Sequence, residues 1–91
     1  MRLDKYLKES RILKRRSVAQ KLAANERVLL NGKPAKPARE VKVDDILEVR
    51  FGNRILTVKV LSTENIKGKK DSESMYEVIK EEEIEYEPEE Q

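Results

Sequence analysis

The stretch ILEVRFGNRILTVKV, residues 46–60, alternates apolar and polar positions on both sides of a Gly52-Asn53 pair. Leu47, Val49 and Phe51 fall on one face, with Glu48 and Arg50 on the other. On the return, Leu56, Val58 and Val60 point inward, while Thr57 and Lys59 point outward. A period of two on both arms of a turn demands an antiparallel hairpin with one buried face. Upstream, RVLLNGKPA sets Asn31-Gly32 between apolar runs, a strong hairpin signal because both central positions take positive φ. MYEVI, from Met75, supplies a last strand.

Ahead of the strands the period changes. In RLDKYLKES, Leu3, Tyr6 and Leu7 recur at i, i+3, i+4, so this stretch is a short amphipathic helix that Ser10 and Arg11 break. Ile12 and Leu13 read as a buried connector. A second helix follows with Val18, Ala19, Leu22 and Ala23 as its apolar stripe. Ser17 and Gln20 have the spacing of a capping box, although the helix could also start a turn earlier, near Lys14. Asn25, which tolerates the left-handed conformation, is placed to close it. The fold class is therefore α+β, two short N-terminal helices packed on a small, mainly antiparallel sheet. Residues 1–61 form the folded domain, 62–80 a flexible polar loop and the final strand, and 81–91 an acidic disordered tail.

The chain's 91 residues allow one small domain. Neither cysteine nor histidine occurs, which removes disulfides, thiolate nucleophiles, Cys or His zinc sites and the usual acid–base side chain near neutral pH. The three glycines form no phosphate-binding loop, and Asp44-Asp45 suits a turn better than a catalytic pair. These absences argue against an enzyme and against a metal or other cofactor. No stretch is long and apolar enough to span a membrane, and no signal-peptide core is present, so a cytoplasmic location is expected.

A net charge of +2 conceals a segregation. Residues 1–60 carry sixteen Lys/Arg against seven Asp/Glu, or +9, and residues 61–91 carry four against eleven, or −7. A basic body with an acidic extension points to nucleic acid. The densest basic run, Lys14-Arg15-Arg16, stands at the start of the second helix, the end that already carries partial positive charge. That placement is unfavourable by about 0.3–1 kcal/mol per cation unless an anion such as phosphate sits there. With only Phe51 and three tyrosines available to stack on bases, the composition favours a reader of RNA backbone and shape.

Arg2-Leu3-Asp4-Lys5, Arg16-Ser17, Asn31-Gly32 and Lys36-Pro37, in this order and spacing over about residues 1 to 60, closely resemble the S-four RNA-binding domain, the alpha-L RNA-binding motif. Two turn positions depart from it: Glu26 and Asp44 stand where members often have glycine. The resemblance implies an RNA-facing surface of Arg2, Lys5, Lys14, Arg15 and Arg16, with Lys33 and Lys36 at its edge. Asp4 would partner a nearby cation, and Ser17 would support the helix start. A freestanding copy resembles the ribosome-associated heat-shock protein family and its Gram-positive ribosome quality-control relatives. The partners so implied are large-subunit ribosomal RNA, peptidyl-tRNA in the P site and a factor that adds C-terminal alanines, with this chain acting as a monomer. A regulatory protein-binding module with a basic face, or a general rRNA-binding assembly factor, are the alternatives. The acidic tail could aid solubility, fold back on the basic face, or dock Ile84 and Tyr86 on a partner.

Overall fold

The computed structural model describes residues 1–64 and 75–83. Two helices, α1 (Leu3–Glu9) and α2 (Arg16–Ala24), precede five strands: β1 (Val28–Leu30), β2 (Lys33–Pro34), β3 (Ile46–Phe51), β4 (Arg54–Val60) and β5 (Tyr76–Glu83). The strands form one sheet in the order β2-β1-β3-β4-β5, every pairing antiparallel. The α+β architecture read from the periodicities is the one observed.

Local chemistry accounts for the turns. Asn31 and Gly32 take φ of 53° and 88°, the two positive values a type I′ turn needs. The Asn31 side-chain oxygen accepts from the Ile46 backbone N–H at 2.9 Å, and its amide donates to Asp45 at 3.1 Å. The other Asp45 oxygen accepts from the Lys42 N–H at 2.8 Å, so this carboxylate organises a turn. Gly52 supplies the single positive φ, 60°, of the β3–β4 turn, as in type II′.

The alternation places Leu47, Val49, Val58 and Val60 on one face, all fully buried, in register with Val28 and Leu30 of β1. Against them pack Leu3, Tyr6 and Leu7 of α1 and Ala19 and Ala23 of α2. The Tyr6 hydroxyl donates to the Met75 carbonyl at 2.6 Å and ties α1 to the start of β5. Burial, with the Tyr76 phenol beside it, pushes the Tyr6 hydroxyl well above the ordinary phenol range.

Several local expectations give way to tertiary ones. Arg15, not Ser17, is the N-cap of α2, and no side chain caps it, so the Ser17–Gln20 capping box is not formed. Val18 is 43% exposed rather than part of the buried stripe. The small Ala19 and Ala23 let α2 approach closely on their own side and turn Val18 to solvent. Asn25 is the C-cap, but at φ −99°; the left-handed residue is the next one, Glu26, at φ 61°. Asp44, the second position where glycine is usual, is also left-handed, at 78°. β5 runs to Glu83, so residues 81–83 of the expected acidic tail are strand, paired with Arg54, Ile55 and Leu56. The rest of that tail, 84–91, and residues 65–74 of the expected loop lie outside the described residues.

Candidate nucleic-acid interface

The turn at residues 36–39 receives the start of α1. The Leu3 N–H donates to the Arg39 carbonyl at 2.8 Å, and the Asp4 N–H donates to the Pro37 carbonyl at 3.1 Å. The Lys5 N–H donates to the Asp4 carboxylate at 2.8 Å and the Tyr6 N–H to the Arg2 carbonyl at 2.8 Å. All the donors of the first turn of α1 are therefore satisfied within the protein. At α2 the first intrahelical bond is from the Ala19 N–H to the Arg15 carbonyl, at 3.2 Å. The N–H groups of Arg16, Ser17 and Val18 have no acceptor among the described residues, and all three residues are exposed. Of the two helix starts, only that of α2 is open to an anion.

Asp4 stands between the two helix starts. Its side chain is fully buried. Arg2 donates from Nε at 3.1 Å and from Nη2 at 3.2 Å, one hydrogen bond to each carboxylate oxygen. Arg16 approaches from α2, with Nε 3.3 Å and Nη2 3.4 Å from the same two oxygens, and the Gln20 amide donates at 3.0 Å. Burial alone would raise the Asp4 pKa. The hydrogen bonds from Gln20, Arg16 and Arg2 outweigh it and hold the carboxyl at about 2, against an ordinary 3.8. The group is therefore an anion under any physiological condition.

Both guanidiniums commit the Nε/Nη2 edge to Asp4, and their side chains are 50% and 44% exposed. Each keeps its Nη1 edge for a second acceptor, and the planar fork suits phosphate. The carboxylate thus fixes two arginines side by side, next to unpaired N–H groups of a helix start. Such an arrangement can bind a phosphate oxygen array.

The remaining sequence-derived candidates are placed as follows. Lys14 and Arg15 immediately precede α2, both exposed, and neither forms an ion pair among the described residues. Lys5 follows Asp4 on α1, half-buried. Lys36 lies in the turn beneath the start of α1 and is exposed. Lys33 lies on β2, exposed, and no contact among the described residues joins it to the Asp4 cluster. Ser17 makes no side-chain hydrogen bond among the described residues and so supports nothing at the helix start. One residue of the site is not signalled by sequence spacing. Gln20 has the spacing of a capping box rather than that of a partner for Asp4.

Comparison with known proteins identifies the family. Residues 1–47 match the family model described as S4 domain. A Streptococcus pneumoniae protein named RQC P-site tRNA stabilizing factor is 51% identical over 85 residues, 93% of this chain and 97% of that protein. The Bacillus subtilis protein of the same name is 43% identical over 84 residues, 92% of this chain and 98% of its own. Among solved structures, trimeric heat shock protein 15 of Vibrio cholerae superposes with a TM-score of 0.78 at 28% identity, covering 86% of this chain and 80% of that one. The chain belongs to the S4 domain family, in the group whose members are named RQC P-site tRNA stabilizing factor.

Proposed function

We propose that this chain is a non-enzymatic RNA-binding factor of the large ribosomal subunit, acting in ribosome-associated quality control. It holds peptidyl-tRNA in the P site while a partner factor extends the stalled chain with alanines. The observation that carries the RNA-binding step is the Asp4 carboxylate holding Arg2 and Arg16 beside the open start of α2. The names of its relatives support P-site tRNA as the ligand. The acting site is in the cytoplasm, where ribosomes are, and among the described residues no helix is long and apolar enough to cross a membrane. One copy suffices, since both arginines and the free N–H groups belong to a single chain, although the Vibrio cholerae protein was solved as a trimer.

Phosphate contacts give affinity and register but no sequence reading, so selectivity must come from the shape of the folded RNA. The test is sedimentation with purified large subunits that carry peptidyl-tRNA, with and without ribonuclease. Wild type should travel with the subunits until the RNA is digested. Arg16→Ala and Lys14→Ala/Arg15→Ala should stay at the top of the gradient while their circular dichroism is unchanged. The second pair of cations bears on no buried group, so its loss leaves the fold intact. Binding that survives ribonuclease would replace this reading with the protein-binding module, and folded variants that still sediment would remove the assigned surface.

A further inference from the structure

The two edges of the sheet differ. β2, at one edge, has two residues and includes Pro34, which has no N–H to offer. β5, at the other, has eight residues and pairs only with β4 among the described residues. Its outer row of backbone donors and acceptors is open to another strand. Val58 pairs with Val78 and Thr57 with Lys80, so Ile79 is the additional residue of a bulge. Val78 and Ile79 are 50% and 54% exposed, the two most exposed large hydrophobic residues of the sheet.

The charges on β5 select what can pair there. On β5 itself Glu77, Glu81, Glu82 and Glu83 stand against one cation, Lys80, with Arg54 of β4 3.5 Å from Glu81, so glutamate stays in excess at this edge of a chain whose first 60 residues carry +9. RNA phosphates are repelled by this edge. A second copy carries the same excess of glutamate, so two β5 edges repel overall. Antiparallel pairing centred on Ile79 sets Glu77 against Glu81, although the register that sets Val78 against Ile79 places Glu77 opposite Lys80. A cationic chain is attracted.

We propose that β5 is a docking edge for an extended, Lys/Arg-bearing segment of a partner protein, which adds a strand to the sheet beside Val78 and Ile79. Backbone hydrogen bonds along β5 bind the segment, the apolar pair anchors it, and the glutamates choose its charge. The RNA surface and the β5 edge would then face different components of one particle.

The test relies on the proposed ribosomal role for its choice of particle. A photo-crosslinking residue, p-benzoylphenylalanine, is placed at Ile79 in one protein and at Val18, whose exposed side chain stands at the start of α2 but is no part of the assigned cation set, in another. Each is bound to purified large subunits carrying peptidyl-tRNA and the alanine-adding factor. The Val18 probe reports the RNA surface and should crosslink RNA; if it does not, the ribosomal reading fails. The Ile79 probe is judged by its own product. A protein segment rich in Lys and Arg, with a yield that falls about tenfold in a Glu77→Lys/Glu83→Lys background, is the expected result. Crosslinks from Ile79 to RNA or to a second copy, no crosslink at all, or a yield untouched by the charge reversal would each overturn the docking edge. That holds even where the Val18 probe finds its RNA. Both substituted positions are exposed, and unchanged circular dichroism confirms the fold of each protein.

Discussion

Replacing Asp4 with asparagine keeps the shape of the side chain and removes the charge on which Arg2, Arg16 and Gln20 converge. In the folded protein the carboxyl is held at about 2, against 3.8 when free. At about 1.4 kcal/mol per pKa unit, this difference corresponds to about 2 kcal/mol of stability at neutral pH. The sign follows from the direction of the shift. A carboxyl whose pKa is depressed by folding favours the folded state whenever it is ionised. The contribution is complete above the ordinary value of 3.8 and is lost as the pH falls through about 2.

Urea unfolding of wild type and Asp4→Asn at a series of pH values isolates this contribution, because the other carboxylates titrate in both proteins and cancel in the difference. The gap should be about 2 kcal/mol near neutrality, narrow below about pH 4 and close only below about pH 2, where Asp4 becomes as neutral as asparagine. A gap that stays constant across the whole range would refute the reasoning. It would mean that the loss comes from packing or hydrogen-bond geometry and not from the charge. RNA affinity should fall in parallel, since two freely rotating arginines bear an ordering entropy that the anchored pair has already met.

Four further outcomes follow from the same geometry. Gln20→Ala removes the largest of the hydrogen bonds that lower the Asp4 pKa, so the Asp4 titration followed by carboxyl carbon NMR should move upward. Glu26→Gly should raise stability by about 0.5–1 kcal/mol in thermal or urea unfolding, because a long side chain at φ 61° is strained where glycine is not, and Asp44→Gly should gain less because aspartate tolerates that region better. Ser17→Ala should change stability by less than about 0.5 kcal/mol, where loss of a working N-cap would cost about 1 kcal/mol, because Ser17 does not cap α2. Removing Lys14 and Arg15 should flatten the dependence of log RNA affinity on log salt by about 0.7–0.9 for each phosphate that these two side chains neutralise.

The period-two pattern of residues 46–60 was legible because a buried sheet face tolerates no slip of register: Leu47, Val49, Val58 and Val60 could face the core in only one way. Asn31-Gly32 was legible for a local reason, since only a turn with two positive φ values suits that pair. What escaped has the opposite character. The residues around Glu26 do not mark it as left-handed; the glycine that members of the family often have there is the one sign of it. That conformation is imposed by the path from α2 into β1, where the N–H groups of Glu26 and Arg27 return to the carbonyls of Ala23 and Leu22. The full reach of β5 was hidden too, because a run of glutamates reads as solvated chain until Arg54 is seen across the sheet, 3.5 Å from Glu81.

The failure at Ser17 and Gln20 is the informative one. A capping box is a contest between local acceptors, and here Gln20 is drawn to an ionised carboxylate sixteen residues away, a stronger partner than a backbone N–H. Among the described residues Ser17 accepts nothing, and the first three N–H groups of α2 have no acceptor. An uncapped helix start costs about 1 kcal/mol, and the cations of Lys14, Arg15 and Arg16 add to the strain at that end. A phosphate placed there would supply the missing acceptor and neutralise the cations together. The point at which local sequence rules fail is thus the point that lacks an anion, and Gln20, which would have helped close the helix, is engaged in holding the carboxylate that orients the receiving arginines.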